Sequence, residues 1–318
     1  MTSAPAPLSG VQFSLRSGAY DAVIASVGAT LRELRHDGRD LVVPFEADQV
    51  RPDYRGATLA PWPNRIVDGE YEFDGEELVT PLTEPNRSHA LHGLVAWLDF
   101  AEVERTDSSV TIAATIEPQT GYPWRVRVET TFALAADGLT QTVRARNLGT
   151  KPAPFGTGPH PYVVAGPAPL DEWTLALPAA SVLEVTPDRL SPVAVHPVAE
   201  YEADRFDRRA PRVLGDVELD HAFTDIEKDA DGTAAVRVTD PSGVGVEVSW
   251  GAECPWVQVH TADKPTGAAH PGHRKGLAVE PMTCAPDAFN ASDYDYDTGL
   301  LVLAPGATFA ASWRISAL

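Results

Sequence analysis

Residues 126–147 read VRVETTFALAADGLTQTVRARN, and this stretch decides the fold class. Over its first nine residues, apolar side chains alternate with polar ones such as Arg127 and Glu129. A period of two is typical of a β-strand that buries one face. Asp137-Gly138 follows, and this dipeptide after an alternating run favours a hairpin turn. We therefore expect residues 139–147 to pair back on the preceding strand.

The rest of the chain repeats this pattern in short segments. Further alternating runs lie at residues 20–26, 30–34, 110–116, 234–239, 244–250 and 300–303. Asp-Gly turn signals recur at residues 37–38, 74–75 and 231–232. With 28 prolines and 24 glycines spread along the chain, few windows are long enough for a helix. The sequence therefore predicts an all-β protein, a large antiparallel β-sandwich.

The chain shows no linker, repeat or change of composition that would divide its 318 residues. Sandwiches of about 250 residues occur as single domains. We therefore expect one domain over residues 1–318, with about residues 1–10 as a flexible N-terminal tail.

Composition excludes several classes of partner. Lys and Arg number 25 against 45 Asp and Glu, a formal net charge of −20. Nucleic acids and anionic membranes reward basic residues, so neither is expected as a partner. The two cysteines form no disulfide framework. Neither a secretory signal nor an apolar run of about 18 residues is visible, so we expect a soluble, cytoplasmic protein.

Five segments lack alternation and are predicted to be long loops. They lie at residues 51–70, 80–98, 156–172, 186–216 and 262–276. Long loops in a compact β-protein are often functional, and these contain Trp, His, Asn and Arg rather than Ser and Gly alone. The chemistry is expected in these loops and at the adjoining strand ends.

Histidines in these loops are the first candidates. The pairs His89/His92 and His270/His273 have H-x-x-H spacing, but they lack Cys or Glu at ligand spacing, so no metal site is predicted. Solvated loop histidines are the favoured interpretation for His89, His270 and His273. His160 lies between Pro159 and Pro161, which fix the backbone and suit a positioned acid or base. A turn histidine that caps backbone groups fits the local sequence equally well.

Other polar residues leave similar alternatives open. Glu280 ends the run Gly276-Leu277-Ala278-Val279 before Pro281. It either faces a cavity, where partial desolvation raises its basicity, or it faces water from an edge strand. Asn64-Arg65 in a proline-braced loop suits sugar hydroxyls or a ring oxygen but could equally tie down the loop. Asp220 alone has the character of a turn residue.

Taken in order, these segments resemble the aldose 1-epimerase (galactose mutarotase) family. The resemblance rests on segments that span nearly the whole chain: GATLAPWPNRI at residues 56–66, ALHG at 90–93, HPY at 160–162, Leu219-Asp220 with Phe223, WVQV at 256–259 and AVEP at 278–281. The family fold is a large antiparallel supersandwich, in agreement with the strand pattern.

The resemblance implies interconversion of the α and β anomers of a free aldohexose without a cofactor or metal. By that similarity, Glu280 is the general base, His160 is the general acid and His92 assists at the ring oxygen. Substrate-binding residues would be Asn64, Arg65, Asp220, Gln258 and Tyr162. An aromatic ring, from Trp62, Tyr162 or Trp256, would stack on the sugar. We expect no partner other than the sugar, and either a monomer or a homodimer.

Two other functions compete with this hypothesis. A glycoside hydrolase would use Asp220 and Glu280 as its carboxylate pair, but it would leave His160 without a role. A non-catalytic sugar-binding protein on the same scaffold would need no acid/base pair. The sequence leaves open which sugar binds and whether the 186–216 segment closes over the site.

Overall fold

A computed structural model describes residues 6–318, and most of their regular structure is β-strand. The strands are β1 Gln12–Ser17, β2 Tyr20–Ala25, β3 Thr30–His36, β4 Arg39–Asp40, β5 Thr58–Leu59, β6 Arg65–Val67, β7 Glu70–Phe73, β8 Glu76–Val79, β9 His89–Leu91, β10 Ala101–Arg105, β11 Ser109–Ile116, β12 Val126–Ala135, β13 Gly138–Asn147, β14 Ala153–Phe155, β15 Gly158–Pro159, β16 Tyr162–Val163, β17 Thr174–Ala176, β18 Ala179–Val185, β19 Pro192–Pro197, β20 Arg212–Val213, β21 Asp220–Ile226, β22 Ala234–Thr239, β23 Gly245–Trp250, β24 Trp256–His260, β25 Leu277–Met282, β26 Leu301–Leu303 and β27 Thr308–Ala317. The helix α1 spans Ala203–Phe206, and 3₁₀ turns lie at Pro52–Tyr54, Leu170–Glu172, Gly267–Ala269 and Ala288–Asp293. Within residues 6–318, no helix has the length and apolar character needed to cross a bilayer.

Two large antiparallel sheets form the body of the molecule. The nine-stranded sheet has the order β10-β11-β12-β13-β27-β23-β22-β17-β20, and the six-stranded sheet has the order β16-β25-β24-β21-β18-β19. Buried residues of both sheets, among them Phe132 of β12 and Val279 of β25, belong to one hydrophobic cluster. A sheet of β1–β4 adds to this cluster through Phe13 and Leu34. The predicted all-β antiparallel sandwich is confirmed.

The predicted hairpin is present as β12 and β13. Its register pairs Ala135 with Gly138, so the connection has two residues. Along β12, side chains alternate between buried and partly exposed, which places Phe132 in the core and leaves Arg127 beside Glu129 on the other face at 3.5 Å. The alternation in the sequence therefore correctly predicts both the strand and the face that it buries.

The predicted long loops contain more regular structure than expected. The segment 51–70 holds β5 and β6, and the segment 156–172 holds β15 and β16. The segment 186–216 was predicted to be a loop, and that prediction is wrong for much of it, because it contains β19, α1 and β20. Strands of two or three residues are too short to show a period, so their pairing depends on distant partners.

The structure describes only part of the segment, about residues 1–10, that is predicted to be a flexible tail. Residues 1–5 of the predicted tail lie outside the described residues. Ser9 is buried, and its backbone N–H donates to the Ala47 carbonyl at 3.1 Å. The single-domain assignment, the cytoplasmic location and the oligomeric state stay predictions.

Candidate active site

A polar cavity of about 660 Å³ opens beside strands of the six-stranded sheet. Its volume lies in the range of small-molecule sites, roughly 300–1,000 Å³. Strands β16, β21, β24 and β25 supply side chains to its lining, and loops around residues 53–54, 84–87 and 263–265 supply others. All eight predicted site residues line this cavity: Asn64, Arg65, His92, His160, Tyr162, Asp220, Gln258 and Glu280.

Glu280 is the most buried carboxylate of the cavity, at 2% exposure. Strand β25 lies between β16 and β24, so the edge-strand position left open by the sequence is excluded. One carboxylate oxygen, Oε1, lies 3.5 Å from His160 Nε2. The other, Oε2, has no hydrogen-bond partner among residues 6–318. Burial, with the charge of Asp220 adding to it, raises the pKa of Glu280 well above its ordinary value.

His160 is held by its backbone on both sides. Its N–H donates to the Ala57 carbonyl at 3.1 Å, and its carbonyl accepts from Gly56 N–H at 2.7 Å. Burial, reinforced by the nearby His260, lowers the pKa of His160 to about 3. The pKa of Glu280 is thus raised and that of His160 is lowered, so burial disfavours the charged form of both groups.

His92 lies against His160, with ring centroids 4.9 Å apart in an edge-to-face arrangement. Its backbone has a left-handed φ of 63°, and its N–H donates to the Asn64 carbonyl at 2.7 Å. Gly93 follows at φ 71°, where a Cβ would lie 2.2 Å from the Ala60 carbonyl oxygen. Only glycine fits there, which gives the His-Gly motif its physical basis. Burial, then the charge of His160, lowers the pKa of His92 well below its ordinary value.

Arg65 is buried and is fixed by two parallel hydrogen bonds to one carboxylate. Its Nε donates to Glu84 Oε2 at 2.7 Å, and its Nη2 donates to Glu84 Oε1 at 3.1 Å. Its Nη1 lies 3.3 Å from Asn64 Oδ1. Burial opposes ionisation of Glu84, but Arg65 and Arg87 hold the pKa of that carboxyl below its ordinary value. A fork-to-fork pair of this kind fixes the guanidinium plane as well as its charge.

Asp220 and Gln258 meet across neighbouring strands. Gln258 Nε2 donates to Asp220 Oδ1 at 2.7 Å, and Gln258 Oε1 lacks a hydrogen-bond partner in the described part of the chain. Burial opposes ionisation of Asp220, but His260 and Arg65 lower the pKa of its carboxyl. The cavity therefore presents an anionic acceptor and a free amide oxygen to whatever enters it.

The family of this chain is shown by its similarity to known proteins. The family model described as aldose 1-epimerase matches residues 11–316. The chain belongs to the aldose 1-epimerase family. It is 36% identical to the uncharacterized protein YihR of Escherichia coli strain K12 over 284 residues, which cover 89% of this chain and 87% of that protein.

Solved structures of the same architecture match over nearly the full chain. A galactose mutarotase-like protein from Clostridium acetobutylicum has a TM-score of 0.81 at 16% identity, covering 96% of this chain and 94% of that chain. A GalM/aldose epimerase homologue from C. elegans has a TM-score of 0.80 at 21% identity, covering 97% and 98%. At these identities the likeness shows the shared fold alone. The predicted family resemblance and the mutarotase-like sandwich are confirmed.

One prediction about a single residue of this aldose 1-epimerase family member is wrong, and two of its three aromatic stacking candidates lie outside the cavity. Trp62 and Trp256 do not line the cavity. Trp62 Nε1 donates to the Ala90 carbonyl at 3.2 Å within the core, and Trp256 packs in a separate buried cluster. His89 is fully buried on β9, with Nε2 2.8 Å from the Arg189 carbonyl, and is therefore not a solvated loop histidine. Of the three aromatic candidates, Tyr162 alone lines the cavity among the described residues.

Several cavity residues escaped the sequence analysis. Tyr54 and Asp53 lie in the 51–55 turn, and Lys264 lies in the 262–276 loop. Asp53 Oδ1 pairs with Lys264 Nζ at 2.8 Å and joins the two loops. Glu84 is 19 residues from its partner Arg65. No local period or motif marks these positions, and only the residue types, aromatic and charged in a long loop, could have drawn attention to them.

Proposed function

We propose that this protein is an aldose 1-epimerase that interconverts the α and β anomers of a free aldohexose and thereby serves carbohydrate metabolism. One observation carries the proposal: a buried carboxylate oxygen of Glu280 lies 3.5 Å from His160 Nε2 inside a polar cavity large enough for one sugar ring. Opening a hemiacetal needs one proton removed and one delivered at neighbouring oxygens. The Glu280–His160 pair supplies both groups.

The mechanism follows from the proton balance of the pair. Ring opening begins with ionised Glu280 and protonated His160. Glu280 takes the proton from the C1 hydroxyl while His160 protonates the ring oxygen, and the bond between C1 and the ring oxygen breaks. Rotation about C1–C2 presents the other face of the aldehyde. Reclosure returns both protons and forms the other anomer.

The raised pKa of Glu280 and the lowered pKa of His160 both favour the arrangement of protons that follows ring opening. After ring opening, Glu280 carries the proton of the C1 hydroxyl and His160 is neutral, and these are the forms that ring closure needs. The two arrangements differ only in where one proton lies. The pair therefore needs no exchange with solvent between opening and closure, and the chemistry needs neither electron transfer nor a cofactor.

The remaining cavity residues would hold the sugar. His92 packs against His160, and Arg65 lines the same cavity, so both would bind the ring oxygen and neighbouring hydroxyls. Asp220 and the free amide oxygen of Gln258 would accept hydrogen bonds from other hydroxyls. Asn64 is tied to Arg65 and would contact the same edge of the ring.

The two alternative functions receive less support. A hydrolase that used Asp220 as its second carboxylate would have to free it from Gln258, 2.7 Å away, and would leave His160 unused. A binding protein would have no need of a buried acid/base pair, which costs stability.

Reaction type separates these functions in one set of assays. Freshly dissolved α-anomers of glucose, galactose and related aldoses are followed by NMR, with hydrolysis of aryl glycosides measured in parallel. We expect anomerisation above the buffer rate with at least one aldose and no release of aryl alcohol. Hydrolysis without anomerisation would support the hydrolase, and tight sugar binding without either activity would support the binding protein.

A further inference from the structure

Two of the three imidazoles that line the cavity, those of His92 and His160, lack the hydrogen bonds that usually orient a catalytic histidine. A histidine that acts as acid or base is commonly aimed by a partner on its second ring nitrogen. In residues 6–318, neither His92 Nδ1 nor His160 Nδ1 has a hydrogen-bond partner from another residue, although both atoms are buried. Packing against neighbouring side chains is the restraint that the described chain supplies to these two rings.

Aromatic rings surround both imidazoles. Tyr54 meets His92 edge to face, with centroids 4.6 Å apart, and lies within 21° of parallel to His160 at 6.4 Å. Tyr162 also stacks on His160, with centroids 5.1 Å apart and planes 28° from parallel. Aromatic contacts of this geometry stabilise the arrangement of the rings beyond the effect of burial alone. Tyr54 is the phenol that contacts both histidines within the described chain.

The turn that carries Tyr54 is built to keep it there. Asp53 and Tyr54 both have left-handed φ values, 49° and 54°. Two such non-glycine residues in succession are strained and persist only where the surroundings fix them. On one side, Asp53 is held by Lys264 Nζ at 2.8 Å. Directly after the turn, Gly56 N–H donates to the carbonyl of His160 itself at 2.7 Å.

The other side of the turn has an equally firm support. Arg51 is buried and donates to Thr30 Oγ1 at 2.6 Å and to the Val27 carbonyl at 3.2 Å. Its guanidinium lies 4.5 Å from the ring centroid of Trp97. Trp97 in turn contacts Tyr54, with centroids 5.8 Å apart. Trp97, over which the Arg51 guanidinium lies, thus contacts the Tyr54 ring, and Tyr54 also lines the cavity.

We propose that Tyr54 is a positioning residue for the reaction: its ring, fixed by the strained 51–55 turn, restrains the imidazoles of His92 and His160, whose Nδ1 atoms have no hydrogen-bond partner from another described residue. The inference rests on the proposed function, because it assigns Tyr54 to the same proton-transfer site. The ring acts by shape and the hydroxyl is not required, so phenylalanine can replace tyrosine whereas an aliphatic side chain cannot.

The test compares three variants by steady-state anomerisation kinetics. Tyr54→Leu is expected to lower kcat by roughly tenfold to a hundredfold, because misplaced catalytic groups cost rate, while KM changes by less than about threefold. Tyr54→Phe should keep kcat within about twofold of the wild type. The matched control is Tyr201→Leu, since Tyr201 stacks on His196 at 4.5 Å outside the cavity. A Tyr54→Leu enzyme with wild-type kcat would overturn the proposal.

A second measurement works without any activity. NMR of the imidazole Cε1–H groups should show broadened or doubled signals for His92 and His160 in Tyr54→Leu, and single sharp signals in the wild type and Tyr54→Phe. In Tyr201→Leu, only His196 should change. Sharp single signals for both cavity histidines in Tyr54→Leu would refute the restraint. If the wild type shows no anomerisation, the proposed function fails, and these spectra still decide the role of Tyr54.

Discussion

Burial raises the pKa of Glu280 and lowers that of His160. This difference between the two pKa values characterises the site at the scale of single residues. Neither residue is unusual by type. Each becomes a candidate acid or base because a sheet interior surrounds it and no other described residue donates to Glu280 Oε2. Residues with strongly shifted pKa values that share a cavity are typical of active sites.

The lowered pKa of His160 predicts a pH-dependent stability. An unfolded histidine has a pKa of about 6.5, whereas folding lowers the pKa of His160 to about 3. Below a pH of about 6.5, His160 therefore binds a proton in the unfolded chain but not in the folded chain. The free energy of unfolding consequently falls as the pH approaches 3. The loss is at most about 1.4 kcal/mol for each pH unit.

Urea unfolding over a pH series measures this loss. Between pH 6.5 and 4, the free energy of unfolding of His160→Gln should decline less steeply than that of the wild type. The difference between the two slopes should correspond to up to about one proton bound on unfolding. Glu280, whose pKa is raised, contributes in the opposite direction, but it is present in both proteins. Equal slopes for the two proteins would show that His160 is not buried in its neutral form.

At the scale of elements, a comparison of Gly75 and Gly93 distinguishes a glycine that only forms a turn from one that is also needed to build the site. Both have left-handed φ values, 77° and 71°. A Cβ at Gly75 would meet no atom within 4 Å, whereas a Cβ at Gly93 would lie 2.2 Å from the Ala60 carbonyl oxygen. Gly75→Ala should therefore cost about 1–2 kcal/mol of stability from the backbone conformation alone.

Gly93→Ala should cost at least about twice as much, because the clash with backbone adds to the strain. It should also lower anomerisation, since it displaces the neighbouring His92, while Gly75→Ala keeps wild-type kcat. Thermal unfolding and anomerisation rates measure both effects. Equal stability losses in the two variants would contradict the close approach at Gly93.

The elements also show how far sequence alone reaches. The hairpin β12–β13 follows from ten-residue strands whose alternation is visible without a partner. The pair β6–β9 could not be predicted, because three residues show no period and the strands lie far apart in sequence. The predicted site residues lie in recognisable motifs. Tyr54, in contrast, is placed at the cavity by a turn with left-handed φ values, and Glu84 is placed there by an ion pair with Arg65, 19 residues away in sequence. Such tertiary constraints leave no local trace in the sequence.

At the scale of the whole molecule, one hydrophobic cluster contains residues of both large sheets. This continuity predicts that β12 and β25 unfold together as one domain. In hydrogen exchange with mass spectrometry across a urea series, peptides from both strands should lose protection at the same urea concentration. Phe132→Ala, at a fully buried position, should destabilise both strands by about 3–5 kcal/mol.

The matched control for this prediction is Val103→Ala, since Val103 is exposed on the edge strand β10. It should change stability by less than about 0.5 kcal/mol. If Phe132→Ala left the protection of β25 unchanged, the sheets would unfold separately and the single-domain prediction would fail.

The central claim is that Glu280 removes and returns the anomeric proton, and exchange NMR between the α and β signals of a sugar substrate tests it most directly. Glu280→Gln keeps the shape of the side chain and removes the base, so the exchange rate should fall by at least about 10²-fold, while sugar binding is nearly unchanged. Glu102→Gln, at an exposed position of β10, serves as the control and should exchange anomers at the wild-type rate. Exchange by Glu280→Gln at the wild-type rate would contradict the claim.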